Sequence, residues 1–174
     1  MTLFHPRHLW LSLLAAVLGG CAYSVSPALL PAHIKSVAVP VFTNETTEYT
    51  LEQEVTDAVV QRFVSDNHLK VVDERAAQAI VHGTITQYRN SVFGIAAGAE
   101  AARSSEYRVT ITVKVEFKDL VKNRVMWSDD ALQRTANYYV TDVPGQTAKT
   151  ELDGRRQAVS QIADEILIRS VQGW

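Results

Sequence analysis

The sequence predicts an α+β domain, a two-layer sandwich of two amphipathic helices packed on a four-stranded, mostly antiparallel sheet. Apolar residues recur every four positions from Leu51 to Phe63, which is the period of a helix with one buried face. From Tyr107 to Lys118 apolar and polar residues alternate without interruption, as in a strand with one wet face. With 174 residues, 47% of them hydrophobic, the chain suits one domain, which we place at 34–174. The net charge of −2 gives no bulk attraction to nucleic acid.

The elements around the first helix are shorter and less regular. Ile34 to Phe42 alternates like a strand, and Pro40 indicates an edge or an end because proline cannot donate to a ladder. Thr50 and Gln53 fit a capping box for the helix that follows, with Thr46 and Thr47 as alternative caps. After Ser65 the sequence predicts a short strand over 69–72 and one helical turn over 73–79.

A strand over 80–88 precedes a Gly/Ala-rich insert. Gly83 indicates either a β-bulge or a close backbone approach. Residues 89–105 interrupt the alternation, and we predict that 92–99 form a mobile loop that orders on a partner.

The second half of the chain predicts two long strands and a helix. The strand Tyr107 to Phe117 turns through 121–123 into a strand over 124–137, and a change of phase near Asp129-Asp130 predicts a bulge. A loop through Pro144-Gly145 leads to a final helix, about 153–171, with Arg169 at the negative end of its dipole.

The first 21 residues have the features of an export signal that ends in a lipid anchor. Arg7 precedes the apolar stretch Leu9 to Leu18, which is too short to span a bilayer. The segment Leu18-Gly19-Gly20-Cys21 resembles the bacterial lipobox, which implies cleavage between Gly20 and Cys21. Cys21, the only cysteine, would then carry a diacylglycerol and a fatty acid, and no other cofactor is expected. A plain secretory signal with an incidental cysteine is the alternative.

The residues after Cys21 indicate where the protein is held. Ala22 stands where an aspartate retains related lipoproteins at the inner membrane, so we expect a periplasm-facing domain anchored in the outer membrane. Residues 21–33 form the lipidated cysteine and a short tether with two prolines, and residues 1–20 are the cleaved signal peptide.

The mature chain resembles the LptE lipoproteins, the outer-membrane partners of the barrel LptD. The resemblance rests on an ordered set of segments: Gly20-Cys21-Ala22-Tyr23, 30–40, Phe42-Thr43-Asn44, the helix 51–63, Val71-Val72, 79–85, the strand 107–117, Trp127 and a C-terminal helix. It implies two helices on a four-stranded sheet, a position partly inside an LptD-like β-barrel, help in assembling that barrel, and binding of lipopolysaccharide.

Lipopolysaccharide carries phosphates and acidic sugars, so a binding site needs cations beside apolar surface, and arginine matches phosphate oxygens best. The resemblance places such residues before the long strand and after the last strand, where this chain has Arg103 and Lys149. We expect Arg103→Glu to weaken lipopolysaccharide binding without lowering the melting temperature. The other reading is that each cation is a solvated surface charge. Further candidates are Arg89, Arg108, Lys122, Arg124 and Arg134.

Catalysis and metal binding have little support in the sequence. His33, His68 and His82 are scattered without metal-ligand spacing. The acidic pairs Asp129-Asp130 and Glu151/Asp153 are better explained by a bulge and a helix N-terminus. We therefore predict no enzyme and no metal. Two alternatives remain: another outer-membrane accessory lipoprotein that binds peptidoglycan or a different envelope complex, and an anchored hydrolase.

Overall fold

The computed structural model describes residues 30–95, 105–140 and 147–172, and the predicted signal peptide, Cys21 and most of the tether lie outside this part. The α+β class and both amphipathic helices are confirmed. In chain order the elements are β1 (Ser36–Ala38), β2 (Thr43–Asn44), α1 (Leu51–Asp66), β3 (Lys70–Val71), a 3₁₀ turn (Glu74–Ala76), β4 (Ala79–Ile95), β5 (Ser105–Asp119), β6 (Arg124–Tyr139) and α2 (Glu151–Val171).

The sheet is mixed and has six strands, so the prediction of four mostly antiparallel strands was wrong in detail. Its order is β3-β1-β4-β5-β6, with β2 also paired to β4. The long strands β4, β5 and β6 are antiparallel neighbours, whereas β1, β2 and β3 form only parallel pairs. These parallel strands are two or three residues long, too short to show a period in the sequence.

Within the predicted strand over 34–42 only β1 is a strand, and β2 begins just after its predicted end. β1 pairs with Ala79 and Ile80, and β2 pairs with Thr84 and Ile85 further along the same strand. Pro40 lies in the connection between them, where it has no ladder hydrogen bond to donate.

β4 extends well past the predicted end at residue 88. Residues 89–95 are therefore part of the strand, and their assignment to an insert was wrong. Residues up to Ile95 pair with β5, and the register shifts lie at Ile85/Gln87 and Val92/Gly94. Gly83 is therefore no bulge but a close approach, because a Cβ there would overlap the ring of Phe42. Residues 96–99 of the predicted loop lie outside the described part.

The register of β6 confirms the bulge near Asp129-Asp130. Val113 is opposite Leu132 while Val115 is opposite Asp129, so β6 has one residue more than β5 in this interval.

Both helices pack on one face of the sheet and leave the other face open. The alternation in β5 is confirmed, since Val109, Ile111, Val113, Val115 and Phe117 are all buried against the helices. The helices contribute complementary apolar side chains: Leu51, Val55, Val59 and Phe63 from α1, and Ala158, Ile162, Ala163 and Ile166 from α2. Burial of these side chains provides the main stabilising free energy of the domain.

The two ends of the long strands differ. The proximal end is the turn Leu120–Asn123 between β5 and β6, beside the start of β4. The distal end comprises Asn90–Ile95 of β4, Ser105–Arg108 of β5 and Asn137–Val140 at the end of β6. α2 runs from near the distal end, where Glu151 contacts Tyr88, to the proximal half, where Arg169 contacts Asp129.

Candidate functional site

The distal end of the sheet extends beyond both helices. At the beginning of α2, Glu151 accepts a hydrogen bond from the Tyr88 hydroxyl at 2.5 Å, and Gly154 lies against Tyr138 and Val109. Past this level no helix covers the described strands. Val92 and Val140 are about half exposed there, at 52 and 48%, and Phe93, which lies on the open face against Arg108, is 50% exposed.

Two arginines lie side by side on the open face of this extension. Arg89 is opposite Thr110, and Arg108 is opposite Ser91, two positions further along β4. The two arginines are therefore diagonal neighbours on one face, about 7–8 Å apart and within reach of each other's long side chains. Among the described residues, neither guanidinium has an ion-pair partner within 4.0 Å.

A cation–π contact with the ring of Phe93 and a hydrogen bond to Asn137 orient the side chain of Arg108. Its guanidinium carbon lies 3.2 Å from the centroid of the Phe93 ring. Its Nε–H donates to Asn137 Oδ1 at 2.8 Å, and the amide of Asn137 donates to Glu106 Oε1 at 2.8 Å. The stacking leaves a fixed cation beside an exposed apolar ring. Sequence reasoning placed Phe93 only within the segment 92–99 that was predicted to order on a partner, and it missed Asn137.

Aromatic and polar contacts on the covered face stabilise the extension. Tyr107 and Tyr138 stack with ring centroids 5.5 Å apart, and Tyr138 exchanges hydrogen bonds with Asn90 at 2.9 and 3.1 Å. Burial raises the pKa of Tyr88, and the carboxylate of Glu151 raises it further. Tyr88 is therefore a neutral hydrogen-bond donor at any physiological pH, and the link between β4 and α2 is maintained.

The other predicted binding residues fall into four groups. Lys149 is exposed at the distal end, where its backbone N–H donates to the carbonyl of Tyr139 at 2.7 Å. Arg103 lies outside the described residues. Lys122 and Arg124 are exposed at the proximal end. Arg134 faces the helices and pairs with Glu165 at 2.5 Å, so its charge is compensated within the fold.

The acidic residues considered for catalysis each have a structural partner. Asp129 accepts from Arg169 at 2.8 Å, and Asp130 pairs with Lys114 at 2.8 Å. Asp153 takes part in the cap at the start of α2. Of the histidines considered as metal ligands, His33 is hydrogen-bonded to Asp119.

Two further properties concern metals and membranes. In the ranges 30–95, 105–140 and 147–172, no three His, Cys, Asp or Glu side chains are grouped so that they could hold a metal ion. None of the described helices combines the length and the apolar character needed to cross a membrane.

The distal end therefore combines two adjacent arginines, a third cation from Lys149 and half-exposed apolar side chains. Guanidinium groups pair with phosphate oxygens through two parallel hydrogen bonds, and exposed apolar side chains accept hydrocarbon. This arrangement suits an amphiphile with an anionic head and apolar tails.

Comparison with known proteins relates the sequence to one family. The family model described as LptE, lipopolysaccharide-assembly, matches residues 34–170, which is most of the chain. No curated protein sequence matches the chain.

Several solved structures have a similar fold. Protein XCC0632 from Xanthomonas campestris superposes with a TM-score of 0.56 at 13% identity, covering 83% of this chain and 91% of that chain. The hypothetical protein CT253 from Chlamydia trachomatis gives a TM-score of 0.50 at 12% identity, covering 77% of this chain and 94% of that chain. At these identities the similarity shows the fold alone.

Proposed function

Because the chain belongs to the LptE family of lipopolysaccharide-assembly proteins, we propose that it is an outer-membrane lipoprotein that forms a complex with an LptD-like β-barrel. In this role it assists assembly of the barrel and binds lipopolysaccharide while the lipid is inserted in the outer leaflet. The domain faces the periplasm, lies partly inside the barrel, and acts by binding, without catalysis.

The distal end carries the lipopolysaccharide part of the proposal. Arg89 and Arg108 present two guanidinium groups without acidic partners among the described residues, next to the half-exposed ring of Phe93. The phosphates of lipid A pair with the guanidinium groups, and its acyl chains contact the exposed apolar side chains. Lys149 stands at the same end.

The lipid-anchor part rests on Cys21 and its lipobox-like surroundings. One acyl chain gives only reversible membrane binding, whereas the two or three chains of a bacterial lipoprotein hold a protein firmly. An anchored domain is thereby kept at the membrane in which the barrel partner is assembled.

The complex is tested first by isolating the protein with a C-terminal tag from outer membranes in mild detergent. We expect an LptD-like barrel to accompany it in roughly equal amount, identified by mass spectrometry. If the lipoprotein is intact and membrane-bound but no barrel accompanies it, the central part of the proposal fails. Recovery of peptidoglycan or a different envelope complex would support an accessory lipoprotein instead.

Lipopolysaccharide binding is tested by reversing the two distal charges together, Arg89→Glu with Arg108→Glu. We expect binding of purified lipopolysaccharide to weaken by about ten-fold or more, because two charge-assisted contacts are lost and two repulsions are created. The melting temperature should change little, since both side chains lie on the open face. Binding is measured with labelled lipopolysaccharide at two salt concentrations.

Arg156→Glu is the matched control, because Arg156 is an exposed arginine on α2, far from the open face of the sheet. It makes the same type of charge change and should leave binding unaltered. Equal losses in the control and the distal variant would show a general charge effect and would exclude the distal end as the site.

A further inference from the structure

The proximal end carries a second surface that the proposed function does not use. Leu120, Val121 and Val125 are exposed there by 38, 62 and 47%. Lys118, Lys122 and Arg124 lie between and beside them in the sequence. We call these six residues the proximal patch. Among the described residues no carboxylate forms an ion pair with any of its three cations.

The exposed charge of this turn is positive, because its one acidic residue faces inward. The side chain of Asp119 is fully buried and accepts backbone N–H hydrogen bonds from Val121 and Lys122 at 2.9 and 3.0 Å. Its other oxygen lies 2.8 Å from Nε2 of His33. Apolar side chains interspersed with Lys and Arg are typical of segments that lie in a membrane interface.

The N-terminal part of the domain is tied to the same turn. Besides the contact between His33 and Asp119, the backbone N–H of Leu120 donates to the carbonyl of Gln78 at 2.9 Å. The side-chain oxygen of Gln78 in turn accepts from the backbone N–H of Lys35 at 2.7 Å. The described chain thus enters the domain beside the proximal patch.

The distance to the predicted anchor is short. Cys21 lies 12 positions before His33 in the sequence. Even a fully extended chain of that length reaches only about 40 Å, so a lipid on Cys21 confines this end of the domain to the vicinity of the membrane.

We propose that the proximal patch rests on the anionic phospholipid surface of the leaflet that holds the acyl chains of Cys21. Leu120 and Val121 contact the boundary between headgroups and acyl chains, and the three cations pair with lipid phosphates. The inference rests on the lipid anchor in the proposed function, but not on the barrel or on lipopolysaccharide. Each cation near an anionic surface strengthens membrane association by about five-fold.

The sole cysteine makes a direct test possible. When Cys21 is acylated, an introduced cysteine is the only free thiol in the mature chain. We would label the lipidated variant Val121→Cys with an environment-sensitive fluorophore and place it in vesicles of phosphatidylglycerol and phosphatidylcholine in equal parts. The matched control is Val41→Cys, because Val41 is 61% exposed, like Val121, but lies in the connection between β1 and β2.

We expect the emission of the label at position 121 to shift to the blue and to be quenched by nitroxide-bearing lipids, while the label at 41 stays water-like. Adding Lys122→Glu and Arg124→Glu should abolish most of the shift, as should vesicles of phosphatidylcholine alone. A label at 121 that behaves like the label at 41, or that ignores both charge changes, would overturn the proposal.

The same samples separate this proposal from the anchor on which it rests. A protein that does not float with vesicles at all overturns the anchor and the patch together. A protein that floats with a water-like label at position 121 overturns only the patch, and an acidic protein surface then becomes the better occupant of the proximal patch.

Discussion

At the scale of single residues, the ionisation of the buried Asp119 carboxyl contributes to stability. Burial alone would raise the pKa of this carboxyl, but the N–H of Lys122, the ring of His33 and the N–H of Val121 together hold the pKa below its ordinary value. A lowered folded-state pKa stabilises the fold above the unfolded-state pKa, and that contribution is lost as the pH falls through the folded-state pKa.

We therefore expect Asp119→Asn to lower the free energy of unfolding by about 1.5–3 kcal/mol at neutral pH, because hydrogen bonds to a charged acceptor are lost. The difference from the wild type should shrink at an acidic pH below the ordinary range of a carboxyl, as the pH falls through the lowered folded-state pKa of Asp119. Urea unfolding at both pH values measures it. A difference that is undiminished in acid would mean that the charge of Asp119 is not what stabilises the turn.

Gly83 shows what a single residue type can and cannot reveal. The sequence left two readings open, a bulge or a close approach, because both favour glycine for different reasons. Only the structure places the ring of Phe42, from 41 positions earlier, against the bare Cα. No local pattern encodes such a long-range contact.

Gly83→Ala should lower the free energy of unfolding by about 1–3 kcal/mol, because the new methyl group overlaps an aromatic ring in the core. Gly94→Ala is the control, since a Cβ there meets only the side chain of Glu106, its flexible carboxylate end at 3.3 Å and its Cβ at 3.7 Å. The comparison is between the melting temperatures of the two variants, and we expect the larger decrease for Gly83→Ala. Equal effects would indicate a general intolerance of alanine in β4.

At the scale of elements, the helices were predictable and their caps were not. Thr50 has a left-handed backbone, with φ of 66°, and its side chain makes no cap hydrogen bond, so the predicted capping box with Gln53 was wrong. The true box is on α2: Thr150 accepts from the N–H of Asp153 at 3.3 Å, and Asp153 accepts from the N–H of Thr150 at 2.8 Å. Both sites carry a threonine three residues before a polar side chain, and only the backbone geometry distinguishes them.

Thr150→Ala should consequently cost about 0.5–2 kcal/mol of stability through loss of the cap. Thr50→Ala should cost much less, because no cap hydrogen bond is removed. Thermal unfolding of the two variants side by side provides the comparison. A larger effect of Thr50→Ala would contradict the assignment of the caps.

The strands divide in the same way. β5 could be predicted from the sequence because it is long and has one solvent-exposed face. β1 and β3 could not, because they are held by parallel pairs between Val37, Val71 and Ala79, which are far apart in the sequence. Of the candidate site, the sequence supplied Arg89, Arg108 and Lys149 as cations. It could not show that the first two are neighbours, because that follows from the register between β4 and β5.

At the scale of the whole molecule, the hairpin between β4 and β5 determines what can be removed without loss of the fold. Deleting 92–99, the segment predicted as a loop, would remove paired positions opposite Tyr107 and Glu106 and should lower the melting temperature. Replacing only 96–104 by Asn-Gly should preserve it, because Ile95 and Ser105 are already paired and a two-residue turn can close the ladder. Similar losses from both changes would show that 96–104 itself stabilises the domain. Recovery of the barrel with each variant then reports on the partner separately.

The length of the long strands sets a fixed distance within the molecule. The 15 residues of β5 span roughly 45–50 Å between the proximal and distal ends. The hydrocarbon core of a bilayer is only about 30 Å thick. If the proximal patch lies on the inner leaflet and the sheet stands inside a protein lumen, Arg108, about 36 Å along β5 from Asp119, reaches the level of the outer leaflet without any conformational change. The length of the long strands then sets the height of the arginines above the proximal patch, and two residues added to each long strand would displace the distal end by about 7 Å.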